Sequence, residues 1–312
     1  MMREPQLRID HVDKGQALPV DYTVMIDEAR RAVAATEDER IRQWMLENID
    51  SISTGKTLLL SLQCDEKAAG FLSYTVMEDD AQIHFCHVKD PYREFEGWFF
   101  QAAVNVFRNQ GLKIVRTSFH WPSPERYIDA SRGLMFVELQ RMSMLRDNDV
   151  DYPEKPLAGG VEIRLWSDDK LGEAGHLLFT EANPVDRQIY PQLESLEGTV
   201  GQLSKITCNF YGNFLQSQSY VVLQDGKLIG LLLATEFEQG LILIAEIAVA
   251  KSHRGRGIAS TMMSRIIRQS AALGKRQLEV VVNAHNLEAI GLYRHKGFKP
   301  SVTFEEHILV IR

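Results

Sequence analysis

Laid over itself at an offset of about 160 residues, this chain repeats one order of strands, turns and helices. LLLSLQCDEKAAGFLSY matches YVVLQDGKLIGLLLA in strand, turn and strand. IHFCHVKDPYREFEGW then falls on LIAEIAVAKSHRGRGIA, with Val88 on Val249 and Arg93 on Arg254. Each helix that follows runs to a glycine, Gly111 or Gly274, and on into a strand. Each unit closes near a glycine–apolar pair, Gly133-Leu134 or Gly297-Phe298. The pattern predicts two copies of one fold, and strands alternating with helices indicate a mixed α/β sheet in each. A chain of 312 residues has room for two ordinary domains.

In the first copy, Asp21 to Asn48 carries no Gly or Pro and is rich in Ala, Glu and Arg, which predicts a helical stretch. Strands are predicted over Thr57–Gln63, Gly70–Met77 and Ala81–Val88, then a helix over Glu94–Asn109 and a strand over Lys113–Phe119. The segment DNDVDYPEKPLAGG, Asp147 to Gly160, is acidic, holds two prolines and ends in two glycines. It is the expected linker, dividing a first domain 1–146 from a second 161–312. In the second copy, Val161–Trp166 reads as a strand and Asp168–Thr180 as a helix. Ser219–Gln224 and Leu228–Thr235 read as a hairpin around Asp225-Gly226. Further on come a strand over Gln277–Asn283, a helix over Asn286–Lys296 and a last strand over Thr303–Ile311.

The most informative stretch is AEIAVAKSHRGRGIA, Ala245 to Ala259. Leu241 to Val249 is apolar except for Glu246, as a buried strand is. Lys251 to Gly257 is polar, basic and glycine-rich. From Ile258 the apolar residues Met262, Met263, Ile266 and Ile267 take helical spacing. The first turn of a helix leaves N–H groups without partners and carries partial positive charge. Gly255 and Gly257 present no side chain to an approaching phosphate, and Arg254 and Arg256 add charge. The turn is a candidate pyrophosphate cradle. It lacks the Gly-Lys-Ser/Thr of a P-loop and the full Gly-x-Gly-x-x-Gly of a dinucleotide fold.

A net charge of −7 and a pI near 5.8 argue against a general nucleic-acid binder. No apolar run reaches the length of a membrane span, and MMREPQLRID lacks the core of a signal peptide. Cys64, Cys86 and Cys208 form no metal or disulfide framework, so no metal is expected and a cytoplasmic setting is.

Arg254-Gly255-Arg256-Gly257-Ile258-Ala259 resembles the Arg/Gln-x-x-Gly-x-Gly/Ala signature of the GNAT N-acetyltransferase superfamily. NLEAIGLYRHKGF, Asn286 to Phe298, resembles that superfamily's Asn-x-x-Ala-x-x-x-Tyr-x-x-x-Gly-Phe block. The likeness covers Gln218 to Val310. It implies two tandem acetyltransferase-like domains, each a mostly antiparallel sheet with a central, splayed parallel pair flanked by helices. It also implies transfer of an acetyl group from acetyl-CoA to a primary amine of a small molecule or a peptide. The pantetheine arm would lie along the main chain of Ile247, Ala248 and Val249, with the diphosphate on Arg254 to Ala259. Asn286 would contact the arm or cap the helix that follows. Tyr293 matches the tyrosine that protonates the leaving thiolate, since a phenol of pKa ~10 stays protonated at neutral pH. An acid in an apolar strand makes Glu246 the leading base, with His285 a weaker candidate, His253 a surface residue, and a water chain the remaining route. Glu181, Asp186, Glu194 and Glu197 could attract a cationic acceptor or stand solvated.

The first copy departs from the motif. Glu94 and Glu96 stand where Gly255 and Gly257 stand, and Trp98 takes the Ala259 position. No tyrosine falls on Tyr293, with Tyr127 about two residues away. The first half is therefore expected to be a degenerate copy without a cofactor. It is open to walling the acceptor cleft, forming a homodimer, or stabilising the other half. The alternative for the whole chain is a non-catalytic acyl-CoA sensor or interaction module.

Overall fold

The computed structural model describes residues 6–12, 20–54, 56–148, 152–154, 156–157, 159–182, 187, 190–238 and 240–311. Parts of the predicted linker (149–151, 155 and 158) and Asp186 lie outside them. The chain forms two compact units, Met1–Leu139 with Glu305–Arg312, and Gln140–Phe304.

The first unit contains β1 (Leu7–Val12), α1 (Val20–Ala34), α2 (Glu39–Ser53), β2 (Leu58–Cys64), β3 (Lys67–Met77), β4 (Asp80–Val88), α3 (Glu96–Asn109), β5 (Ile114–Thr117) and α4 (Glu125–Gly133). The single helical stretch expected over Asp21–Asn48 is thus two helices. Asp38 breaks it by capping α2, accepting from the Ile41 N–H at 2.9 Å. β1 to β4 pair antiparallel in chain order, and β4 pairs parallel with β5. Two-residue turns join β2 to β3 at Asp65-Glu66 and, in the second unit, the strands Tyr220–Gln224 and Lys227–Glu238 at Asp225-Gly226. All four residues have positive φ, the twist that two-residue hairpins need.

The strand after α4 is β6 (Val137–Asp147), and from Gln140 it belongs to the second unit. That unit continues with β7 (Val161–Leu165), α5 (Leu171–Glu181), α6 (Leu196–Thr207), β8 (Asn213–Phe214), β9 (Tyr220–Gln224), β10 (Lys227–Glu238), β11 (Leu241–Val249), α7 (Ile258–Ala272), β12 (Gln277–Asn283) and α8 (Leu287–His295). Its sheet runs β7-β9-β10-β11-β12-β6, antiparallel except for the β11–β12 pair. The last strand, β13 (Lys299–Val310), changes unit at Glu305: His307–Val310 pair with Thr117–Ile114 of β5. Each unit's final strand therefore comes from the other copy's place in the sequence. This differs from the 1–146 and 161–312 division drawn from composition, because strand pairing and not linker chemistry sets which residues pack together.

Corresponding strands keep one register: Gly70 faces Val88 across β3 and β4, and Gly230 faces Val249 across β10 and β11. A Cβ at Gly70 would lie 2.6 Å from the His87 carbonyl, and one at Gly230 would lie 3.2 Å from the Ala248 carbonyl. The close of each copy needs a correction. After α4 the left-handed residue is Met135, and the Phe136 N–H reaches the Ser131 carbonyl at 3.1 Å. After α8 it is Gly297, and the Phe298 N–H reaches the Tyr293 carbonyl at 3.0 Å. Met135-Phe136, not Gly133-Leu134, corresponds to Gly297-Phe298, and Ser131 corresponds to Tyr293.

In the second unit the sheet separates two apolar layers. One gathers Ile258, Met262, Met263, Ile266 and Ile267 of α7 with Ile290 and Tyr293 of α8. The other packs Ala174, Leu177, Leu203 and Ile206 of α5 and α6 on Leu231 and Leu233 of β10.

Candidate active site

β11 and β12 pair only through Leu241–Leu243 with Gln277–Glu279, although both strands run on. Just past the last pair, the β10–β11 register skips Ala245, so β11 bulges there and turns away. Ala245 to Ala248 are each half-buried, which leaves one side of β11 uncovered beyond the bulge. The Ala250 N–H bonds Ile229, so main-chain groups alternate in direction from there back along β11. The Ile247 N–H meets the Glu246 carboxylate at 3.1 Å, and the Val249 carbonyl accepts from Arg254 Nε at 3.1 Å. Both groups are held by side chains of their own segment instead of by β10.

The turn after β11 is a short 3-10 helix, Lys251–His253, followed by Arg254 to Gly257 and the start of α7. Gly255 and Gly257 both take left-handed φ, +73° and +81°, and a Cβ at either would meet no atom within 4 Å. A bulky anion thus has open space against the first turn of a fifteen-residue helix. The two arginines differ. Arg254 donates to the Glu181 carboxylate at 3.1 Å as well as to Val249, so part of its charge is already matched. Arg256 is exposed beside the glycines. Sequence reasoning had no signal for the pairing of Glu181 with Arg254. It takes Glu181 out of the set of acids proposed to meet the acceptor. Glu194 and Glu197 are exposed, as solvated acids are.

Tyr293 is buried on α8 with its ring against Phe298. Burial first, and the Glu246 charge second, push its phenol well above the ordinary value, so it stays protonated. The Glu246 charge thus lies near enough to act on the Tyr293 phenol. Asn286 caps α8, its Oδ1 accepting from the Ala289 N–H at 3.1 Å, which leaves its NH2 as the donor end. His253 is bonded to Gln224 and Ser252, each at 2.8 Å, and His285 is exposed.

The same places in the first unit are differently filled. β4 and β5 pair only to Ile83–Thr117, and the β3–β4 register skips His84, so a bulge recurs at the equivalent point. Beyond it Phe85, Cys86 and Val88 are buried. Phe85 stands in the place of Glu246, and Trp121 lies 6.1 Å from its ring and 5.1 Å from Phe119. The glycine turn is replaced by a 3-10 helix, Tyr92–Phe95, running straight into α3 at Glu96. Trp98 is exposed and not packed into the turn. Among the described residues no group of His, Cys, Asp and Glu is arranged to hold a metal.

A parting parallel pair with a bulge beside it recurs in both units, so the chain holds two tandem copies of one α/β fold, and the second adds an open helix-terminal turn. More particularly, residues 191–298, all within the second unit, match the Acetyltransferase (GNAT) family. The fold is similar to that of a GCN5-related N-acetyltransferase from Sphaerobacter thermophilus, at 15% identity and a TM-score of 0.60, covering 98% of this chain and 96% of that one. It is also similar to a tandem GNAT protein from the clavulanic acid biosynthesis pathway, at 13% identity and a TM-score of 0.54, covering 98% of each. A glucosamine N-acetyltransferase region of a fungal multidomain GH3 β-N-acetylglucosaminidase matches at 13% identity and a TM-score of 0.59, over 99% of this chain and 38% of that one. Comparison with curated proteins finds no match.

Proposed function

We propose that the protein is an acetyl-CoA-dependent N-acetyltransferase acting on a primary amine of a small molecule or peptide, and that the second unit does the chemistry. The observation that carries this reading is the open turn at Gly255 and Gly257, which follows the part of β11 that has left β12. Amides at the start of α7, through Ile258 and Ala259, and Arg256 hold the diphosphate, with Arg254 shared between it and Glu181. The Ile247 N–H and Val249 carbonyl lie along the parted strand for the pantetheine amides, Ala248 between them, with the Asn286 NH2 as a further donor. When bound, acetyl-CoA supplies an activated acyl carbon as a thioester.

The chain's own groups then manage two protons. Glu246 takes one from the acceptor ammonium, and the amine nitrogen bonds to the acyl carbon as the C–S bond breaks. The Tyr293 hydroxyl gives its proton to the departing sulfur and regains one from the acylated nitrogen, which sheds its second proton to become the neutral amide. For Glu246 to act as base, it releases the Ile247 N–H, which the cofactor's own amide can take over. The first unit is read as a copy without a cofactor, because rings occupy its parted strands and Glu96 its turn. Three free cysteines fit a reducing, cytoplasmic setting. No helix among the described residues is long and apolar enough to cross a membrane.

Calorimetry with acetyl-CoA tests the reading. One site per chain is expected, lost in Gly257→Glu, and two equal sites refute the division of labour. A thiol-release assay over a panel of amines tests turnover. Release that falls in Tyr293→Phe supports transfer, and no release with any amine supports an acyl-CoA sensor.

A further inference from the structure

We infer that Glu96 is a built-in anion, its carboxylate occupying from inside the protein an anion-binding cradle in the first unit, and that a free phosphate-class anion takes its place once it is removed. The inference uses the second unit only as a comparison and stands on observations of the first. Glu96 is the first residue of the fourteen-residue α3 and is 4% exposed. Its carboxylate lies 3.0 Å from Arg93 Nε and 3.8 Å from Arg126 Nη1. The Arg126 guanidinium is oriented by a further bond to the Arg93 carbonyl. The bond to Glu96 is also the first cause that holds the Arg93 guanidinium above its ordinary pKa.

A buried carboxylate is costly unless paired, and here pairing is supplied from three sides: two guanidiniums and the positive end of a helix. The same residues line a cavity of about 370 Å³, with Asp90, Ser123 and Glu125 completing its wall. The corresponding residue of the second unit is Gly257, where a Cβ would meet nothing within 4 Å. One position thus holds either an open space or a fixed negative charge. Deleting the charge leaves two guanidiniums at a helix N-terminus, in a cavity that the Asp90 and Glu125 carboxylates also line, with room for a small anion of the phosphate class.

The test is thermal unfolding of the full chain followed by tryptophan fluorescence. Trp44, Trp98 and Trp121 lie in the first unit and Trp166 in the second, so the signal mostly reports the first. The first unit of the wild-type protein is expected to melt equally in millimolar pyrophosphate and in chloride of the same ionic strength, whatever pyrophosphate does for the second. Glu96→Ala is expected to melt roughly 6–10 °C lower in chloride and to recover at least half of that in pyrophosphate. Glu96→Ala combined with Arg126→Ala should lose the recovery. Equal recovery in the double variant, or none beyond chloride in the single one, overturns the inference. If Glu96→Ala does not fold in chloride, Glu96→Gln carries the test. It keeps the volume without the charge, so it should melt lower than wild type and gain nothing from pyrophosphate. A Gln variant as stable as wild type overturns the inference. Acetyl-CoA plays no part in these measurements, so failure of the acetyltransferase reading leaves the outcome intact.

Discussion

Removing the last eight residues, Glu305–Arg312, should unfold the first unit and spare the second, although those residues follow the second unit in sequence. The magnitude can be worked from the strand they form. Ile308 is fully buried and Leu309 nearly so, and each side chain contributes about 2–3 kcal/mol on leaving water. His307 to Val310 also pair with four residues of β5. Losing those ladder bonds costs about 1 kcal/mol apiece for the groups left without good partners. The sum, roughly 8 kcal/mol, is comparable to the whole stability of an ordinary domain. Urea unfolding by tryptophan fluorescence should lose the transition of the first unit, while acetyl-CoA binding by calorimetry persists. A truncated chain whose tryptophan transition keeps its midpoint to within about 1 kcal/mol would refute the exchanged-strand assignment. So would loss of acetyl-CoA binding with that transition intact.

Acidification should weaken the first unit ahead of the second. Burial lowers the His84 pKa to about 4 from 6.5, and lowers those of His87, His120 and His307. A lowered folded pKa means the unfolded chain protonates first, so stability is complete above the unfolded value and is lost as pH falls from 6.5 towards 4. For His84 alone the loss is about 3 kcal/mol, read as a falling urea midpoint of tryptophan fluorescence. Gly257→Ala should weaken acetyl-CoA binding roughly tenfold without a clash, because a left-handed φ costs a Cβ-bearing residue about 1–2 kcal/mol. Calorimetry checks it, and unchanged affinity would argue against the turn. Glu181→Gln releases Arg254 from a pair in which the arginine is half exposed, so acetyl-CoA should bind only about 2–5-fold tighter, less at high salt.

Local features were legible wherever one residue type forces one conformation. Asp225-Gly226 announced a hairpin, Gly255 and Gly257 an open turn, and the spacing from Ile258 a helix, because each depends on neighbours in sequence. The alignment of Val88 with Val249 held for the same reason: both face a glycine on the preceding strand. What sequence could not reveal depends on distant partners. Nothing in KPSVTFEEHILV says that its two ends serve different units, since alternation fits a strand in either sheet. Glu96 read as a repulsive charge because its arginine partners are invisible until α3 and α4 pack together. Glu181 read as an acceptor-side acid for want of the contact to Arg254.

The parting of the parallel strands belongs to the fold and not to the catalyst. It starts just beyond Ile83–Thr117 in one unit and Leu243–Glu279 in the other, each beside a one-residue bulge. Sequence decides only what fills the parting. In the second unit residues Ala245 to Ala248 are half-buried, with a carboxylate at Glu246. In the first, Phe85 takes that place under Trp121, and Glu96 closes the turn. Two separate obstructions follow, one for a diphosphate and one for a pantetheine arm. Glu96→Ala should therefore admit pyrophosphate yet give CoA no greater affinity than pyrophosphate alone, since the rings still bar the arm. Competition between the two ligands in that variant, with the second unit's site removed by Gly257→Glu, measures it. A CoA advantage above about tenfold, or 1.4 kcal/mol, would mean that the aromatic cluster yields and that the turn alone silences the first unit.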